Sequence, residues 1–204
     1  MITDFHDYHD YVIKNGKFIG AFEEMYRNCQ DPWHQDSVQS IAEDIALLLL
    51  SKYPYQRILD VGCGKGRFTN RIRQTTEAVV IGLDISPTAI EIASSRYPGI
   101  EFLSANVPPL SFPNESFDLV VSAELLWYVL PSLQMLFAEI KRVLRPSGHY
   151  LILQQFYKPE EQKYGKDIMQ SPEDLIKMLP FTLFHYIEVD RLSIRKLIVL
   201  AGGS

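Results

Sequence analysis

The run Arg57-Ile58-Leu59-Asp60-Val61-Gly62-Cys63-Gly64-Lys65-Gly66 limits the possible folds more than any other stretch of this chain. Ile58, Leu59 and Val61 form the short apolar run of a central parallel strand. Gly62, Gly64 and Gly66 remove side chains where the backbone must turn sharply and where a ligand must approach it closely. A helix is expected from about Lys65 to Gln74, with its unpaired N–H groups turned back toward that ligand. Strand, glycine loop and helix in this order make a ligand-binding turn.

A second apolar run, Ala78 to Asp84, ends in a carboxylate about 20 residues beyond the loop, where it is placed to accept hydrogen bonds from both ribose hydroxyls of an adenosine ligand. Ser86 and Pro87 supply an N-cap and a first helical residue for the next helix, which runs to Tyr97, so Asp84 is not needed as its cap. Short strands are expected at 100–103, 117–122 and 150–155. An amphipathic helix bearing Leu133, Leu136, Phe137, Ile140 and Leu144 lies between the last two, and Arg145 to His149 turns the chain into the final one. Residues 158–170 are polar and lack periodicity, so they read as a loop beside the site. A helix starts at Ser171-Pro172. Strands Phe181–Val189 and Ser193–Leu200 follow, joined by a short turn around Asp190-Arg191 that implies an antiparallel pair.

The N-terminal part differs in character. Residues 1–35 are rich in aromatic and acidic groups, with Phe22, Met25 and Tyr26 at helical spacing and Asp31-Pro32-Trp33 ending that helix. An amphipathic helix is expected from Asp36 or Ser37 to about Lys52. Residues 1–52 thus read as a helical cap and lead-in helix on one domain spanning 1–204, for which 204 residues and 47% hydrophobic composition suffice.

A net charge of −5 gives no electrostatic footprint for nucleic acid. Cys29 and Cys63 are expected as free thiols in a reducing, cytoplasmic setting. The opening residues carry neither a basic start nor an apolar run, so no leader is expected, and Ile45–Leu50 is too short to span a bilayer. His6 and His9 with their neighbouring aspartates lack further ligands for a metal, and no metal site is expected.

The G-x-G-x-G spacing preceded by Asp60, together with Asp84, the Phe112-to-Ser122 turn and strand, and Leu144-Arg145-Pro146-Ser147-Gly148-His149, resembles the class I S-adenosylmethionine-dependent methyltransferases. The resemblance implies an α/β, Rossmann-like, seven-stranded and mostly parallel sheet with an antiparallel last strand and helices on both faces. It also implies S-adenosylmethionine as cofactor, held by Asp60, Gly62, Cys63, Gly64, Gly66, Asp84, Ile85, Asn106, Val107 and Ala123, with Asn106 toward the adenine. Asp31-Pro32-Trp33 and Ala123-Glu124-Leu125-Leu126-Trp127-Tyr128 are further similar to the nodulation-type sugar N-methyltransferases, which implies an amino-sugar acceptor. That likeness fades after residue 155.

An activated methyl group mainly requires that a nucleophile be held in line behind it, and a base must take the nucleophile's proton. Glu124, where the chain leaves the strand ending near Ser122, is the first candidate base, and His34 is the second. Either can instead be structural, as a backbone or cofactor contact for Glu124 and as a lid for His34. Trp33, Trp127 and Tyr128 are expected to shape an acceptor pocket or offer π faces to a cation, with core packing as the alternative. The expected partner is a small molecule or glycan, more readily an amine than a hydroxyl, with no nucleic acid or membrane and a monomer or homodimer as the assembly. An O-methyltransferase and a non-catalytic cofactor-binding protein stay open. The glycine spacing and the closing hairpin disfavour a nicotinamide oxidoreductase.

Overall fold

The computed structural model describes residues 10–33, 40–158, 160–191 and 194–202. The chain opens with a small hairpin, β1 (Ile13–Lys14) and β2 (Lys17–Phe18), followed by α1 (Phe22–Asn28) and α2 (Ile41–Leu50). Asn15 and Gly16 form the hairpin turn with φ of 52° and 73°, as an Asn-Gly pair favours. No hairpin is expected from the aromatic and acidic composition of this segment; its only signal is that dipeptide. Ser40 caps α2 through its hydroxyl, which accepts from the Glu43 N–H at 3.4 Å.

The main sheet alternates with helices in β3 (Arg57–Val61), α3 (Arg67–Thr76), β4 (Val79–Asp84), α4 (Pro87–Arg96), β5 (Glu101–Ser104), β6 (Phe117–Ala123), α5 (Leu133–Val143) and β7 (Leu144–Phe156). It closes with α6 (Pro172–Met178), β8 (Thr182–Arg191) and β9 (Ile194–Gly202). Seven strands lie in the order β5-β4-β3-β6-β7-β9-β8. Those from β5 to β7 are parallel, and β9 runs antiparallel to both of its neighbours. This is the Rossmann-like sheet with an antiparallel last strand that the sequence leads one to expect. Residues 145–148, expected as a turn, form an irregularity within β7, where its pairing with β6 jumps from Leu144 to His149.

Alternation along the strands divides the core between two faces. Leu59, Val61, Val120, Ile152 and Val199 pack with Leu136, Phe137, Ile140 and Val143 of α5 and Leu175 of α6. Ile58, Val80, Leu119, Leu151 and Ile198 face the other way, onto Ala46 and Leu50 of α2 and Phe68 and Ile72 of α3. Each fully buried side chain of this kind contributes about 1.5–3 kcal/mol, and together they fix the β3, β4 and β6 carboxyl ends as a rigid rim. The order β4-β3-β6 places the switch of strand order beside β3, where an open α/β sheet forms its ligand crevice.

Candidate active site

At the end of β3 the backbone enters the left-handed region three times, at Gly62 (φ 79°), Gly64 (φ 53°) and Gly66 (φ 78°). The N–H groups of Gly62 and Cys63 both donate to the Leu83 carbonyl at 2.8 Å, which folds the loop across the end of β4. A Cβ on Gly62 would stand 3.0 Å from Leu125 Cδ1, and one on Gly66 would stand 2.7 Å from Phe102 Cζ. Gly62 therefore keeps space on the cavity side, whereas Gly66 lets α3 pack closely over β5.

Asp84 is buried and holds the loop from the side. Its Oδ2 accepts from the Gly64 N–H at 2.9 Å and its Oδ1 from the Ser86 N–H at 3.0 Å. A carboxylate has about four acceptor positions, so acceptor capacity remains for a ligand hydroxyl. Burial pushes the Asp84 carboxyl above its ordinary range. Ser86 itself caps α4, accepting from the Ala89 N–H at 3.1 Å, so the cap and the ligand-facing carboxylate are separate groups.

One cavity of about 1030 Å³ is lined by Gly62, Gly64, Asp84, Ile85, Asn106, Val107 and Ala123, and equally by Trp33, Glu124, Trp127 and Tyr128. The sequence-derived cofactor and acceptor residues thus meet in one space, except for three. Asp60 lies beneath α3, 1% exposed, where it accepts from Thr69 Oγ1 at 2.6 Å. Burial, more than any charge, raises its carboxyl to about 7. The Cys63 side chain packs against Ala93, Ile100 and Phe102, and Gly66 serves the packing described above. His34, like His6 and His9, lies outside the described residues.

Glu124 sits just past β6 with φ 58°, in the left-handed region where a non-glycine residue is strained. Its side chain is held firmly. Oε2 accepts from the Gln155 N–H at 2.7 Å and Oε1 from Lys196 Nζ at 2.8 Å, with Gln154 Nε2 at 3.4 Å from Oε2. Oε2 is taken up by its two donors, whereas Oε1, with Lys196 as its one donor, keeps an acceptor position where a proton can arrive. Lys196, on β9 opposite Gln155, also lines the cavity. Nothing in the sequence links position 196 to position 124; the pair is made by the antiparallel register of β7 and β9.

The cavity wall is aromatic on the cap side. Trp33 donates through Nε1 to the Tyr26 hydroxyl at 2.9 Å, and Tyr128 meets the Trp33 ring at 5.6 Å and the Phe22 ring at 5.2 Å. Trp127 is buried, donates through Nε1 to the Gln155 carbonyl at 2.8 Å and packs edge-on against Phe156. It braces the wall more than it offers an open face.

Helix α1 is fastened to the rim through Glu23, which no sequence pattern singles out. Glu23 Oε1 accepts from Thr88 Oγ1 at 2.7 Å, while Oε2 accepts from Ser86 Oγ at 2.5 Å and the Thr88 N–H at 3.1 Å. These bonds, led by that from Ser86, hold its carboxyl down at about 2. Lys65 adds a second tie by donating to the Gln30 carbonyl. Among the described residues no group of three or more His, Cys, Asp and Glu side chains is placed to share a metal ion.

A family model described as a methyltransferase domain matches residues 59–152. O-methyltransferase rstn1 of Aspergillus nomiae is 30% identical over 177 residues, covering 78% of this chain and 78% of that protein. The chain belongs to the S-adenosylmethionine-dependent methyltransferases of class I. This methyltransferase is also 39% identical over 97 residues to phthiotriol/phenolphthiotriol dimycocerosates methyltransferase of Mycobacterium leprae, covering 46% of this chain and 36% of the relative, little more than a third of its length. Among solved structures, N-methyltransferase NodS from Bradyrhizobium japonicum WM9, in complex with S-adenosyl-L-homocysteine, superposes with a TM-score of 0.72 at 21% identity. It covers 90% of this chain and 97% of that one, a likeness of fold.

The site fits the family's cofactor. The glycine loop leaves its backbone open, Asp84 keeps acceptor capacity at the rim, and the cavity reaches the upper end of small-molecule pockets, roughly 300–1,000 Å³. It has room for a cofactor and an acceptor side by side.

Proposed function

We propose that this chain transfers a methyl group from S-adenosylmethionine to a small-molecule acceptor. The observation that carries this reading is the convergence of the glycine loop, Asp84, Glu124 and the aromatic wall on one cavity. When bound, the cofactor supplies a methyl group already activated by its sulfonium, so positioning and water exclusion are the protein's main contributions. In this reading Asp84 accepts the ribose hydroxyls, Gly62 and Gly64 make room for the cofactor's backbone-facing side, and Asn106 with Val107 borders the adenine. Ile85 and Ala123 complete that wall. The cap, with Phe22, Tyr26 and Trp33, covers the acceptor and keeps water out. Residues 1–204 act as one domain with 1–52 as cap and lead-in, and the setting is cytoplasmic. No helix among the described residues is long and apolar enough to cross a membrane.

For the acceptor atom we carry forward an amine, with an amino sugar as its narrower form. The aromatic faces of Trp33 and Tyr128 suit a cation, and Glu124 lies on the same cavity to hold the amine and take its proton. A hydroxyl acceptor is the second reading, favoured by the Glu124–Lys196 ion pair at 2.8 Å. A carboxylate balanced by lysine pulls less on an incoming ammonium. The name of O-methyltransferase rstn1 supports the same alternative. Labelled S-adenosylmethionine offered with matched pairs of acceptors, differing only in amine against hydroxyl, tests both. Label on the amine member alone supports the first reading, label on the hydroxyl member alone the second. Release of no S-adenosylhomocysteine with either series would favour a binding protein without turnover.

A further inference from the structure

Gln155, Lys196 and Val189 lie directly opposite one another on β7, β9 and β8, so their side chains leave the sheet on the same face. All three line the cavity, together with Glu124. Strand β9 is separated from β3 and its glycine loop by β6 and β7, which puts this row on the side of the cavity left for an acceptor.

Lys196 donates to Glu124 Oε1 at 2.8 Å and has no second partner among the described residues. An ammonium carries three donors, so two are unspent at the cavity wall. The Gln155 side-chain amide likewise makes no hydrogen bond among the described residues, although its backbone holds Glu124 and Trp127. Glu124 Oε1, with that one lysine donor, keeps an acceptor position. Unspent donors and an open acceptor position thus lie side by side across one short contact. As a brace the pair would add little, because the Lys196 and Glu124 side chains are 27% and 35% exposed and ion pairs in contact with water contribute little net stability. Glu124 nevertheless keeps its left-handed backbone, a cost that proteins retain where a site works.

We propose that Lys196 and Gln155 form an acceptor subsite for an oxygen on the carbon next to the methylated atom, which itself donates to Glu124 Oε1. The acceptor class is then a vicinal amino alcohol or diol. This rests on the methyltransferase reading and specifies the neighbouring group that the acceptor carries. Lys196 Nζ and Glu124 Oε1 are one hydrogen bond apart, and heteroatoms on neighbouring carbons span so short a gap while leaving the ion pair closed. An isolated amine would use Oε1 alone, and an oxygen on the far side of a ring would miss the lysine donors.

Both tryptophans of the chain, Trp33 and Trp127, line the cavity, so intrinsic fluorescence follows its occupation. The probes are trans-2-aminocyclohexanol and trans-4-aminocyclohexanol, isomers with the same amine, hydroxyl and ring that differ in spacing, added to the chain saturated with S-adenosylhomocysteine. The 2-isomer should bind roughly tenfold or more tightly than the 4-isomer, as one hydrogen bond from a charged donor provides. Lys196→Met should bring the two isomers to within about twofold of each other, whereas Lys196→Arg, which keeps charged donors, should retain the preference. Gln155→Leu leaves the ion pair in place and should narrow the preference by about threefold; it serves if the methionine variant fails to fold. Equal affinity for the isomers in the wild-type chain, binding of neither, or a preference that survives both Lys196→Met and Gln155→Leu would overturn the subsite while leaving the cofactor reading intact. Failure of the wild-type chain to bind S-adenosylhomocysteine itself would overturn the cofactor reading, and the subsite with it.

Discussion

Burial changes the chemistry of Asp60. Its carboxyl rises from an ordinary 3.8 to about 7 because burial outweighs the Thr69 hydrogen bond. A carboxyl whose folded value is raised binds its proton more tightly in the native state. Its favourable contribution is therefore complete below about pH 4 and is lost as pH rises through about 7. Replacing it by Asn keeps an acceptor for Thr69 and removes the titration. Unfolding free energies from urea titrations at pH 5 and pH 8 should fall less steeply with pH in Asp60→Asn than in wild type, by an amount on the order of 3 kcal/mol. Parallel profiles would show that Asp60 does not titrate in this window. The side chain thus contributes to the site through packing and loop placement, under α3 and away from the cavity.

At the scale of elements, the strand–loop–helix unit and the cap each make a separate claim. Gly66→Ala puts a Cβ at φ 78° and 2.7 Å from the Phe102 ring. Left-handed strain of about 1 kcal/mol and a displaced core ring of about 1–3 kcal/mol should lower the melting temperature by roughly 5–12 °C. An unchanged melting curve would mean that α3 does not pack as described. The cap depends on Glu23, whose folded carboxyl is depressed to about 2. Its contribution is present above the unfolded value near 4.5 and is lost as pH falls toward 2. At neutral pH, Glu23→Gln should speed amide exchange across Phe22–Asn28 while β3 and β6 keep their protection; equal exchange in both proteins would remove Glu23 as the tie. These two elements also show what a sequence reveals. Strand β3 and its loop are legible because Ile58, Leu59, Val61 and the glycines encode them locally. The anchoring of the cap is not, because Glu23 meets Ser86 and Thr88 across more than 60 positions, and no local pattern marks such a partner. The same holds for Lys196 against Glu124, a pairing set by strand register.

Across the whole molecule, a mostly parallel sheet brings the carboxyl ends of β3, β4 and β6 to one rim. The antiparallel β9 then adds Lys196 to the far side of the same cavity. A ligand at that rim touches the glycine loop, Asp84 and the cap together, so its binding should depend on Asp84 far more than on residues of the opposite edge. Calorimetric titration of the intact chain with S-adenosylhomocysteine, with NAD as control and Asp84→Ala alongside, tests this most directly. One molecule of S-adenosylhomocysteine should bind per chain, and NAD should not bind. Asp84→Ala should lose affinity by roughly a hundredfold or more, as expected when two hydrogen bonds to a charged acceptor are removed. Equal affinity in the variant and the wild type, or binding of NAD in place of S-adenosylhomocysteine, would remove Asp84 and the glycine loop as the cofactor's seat.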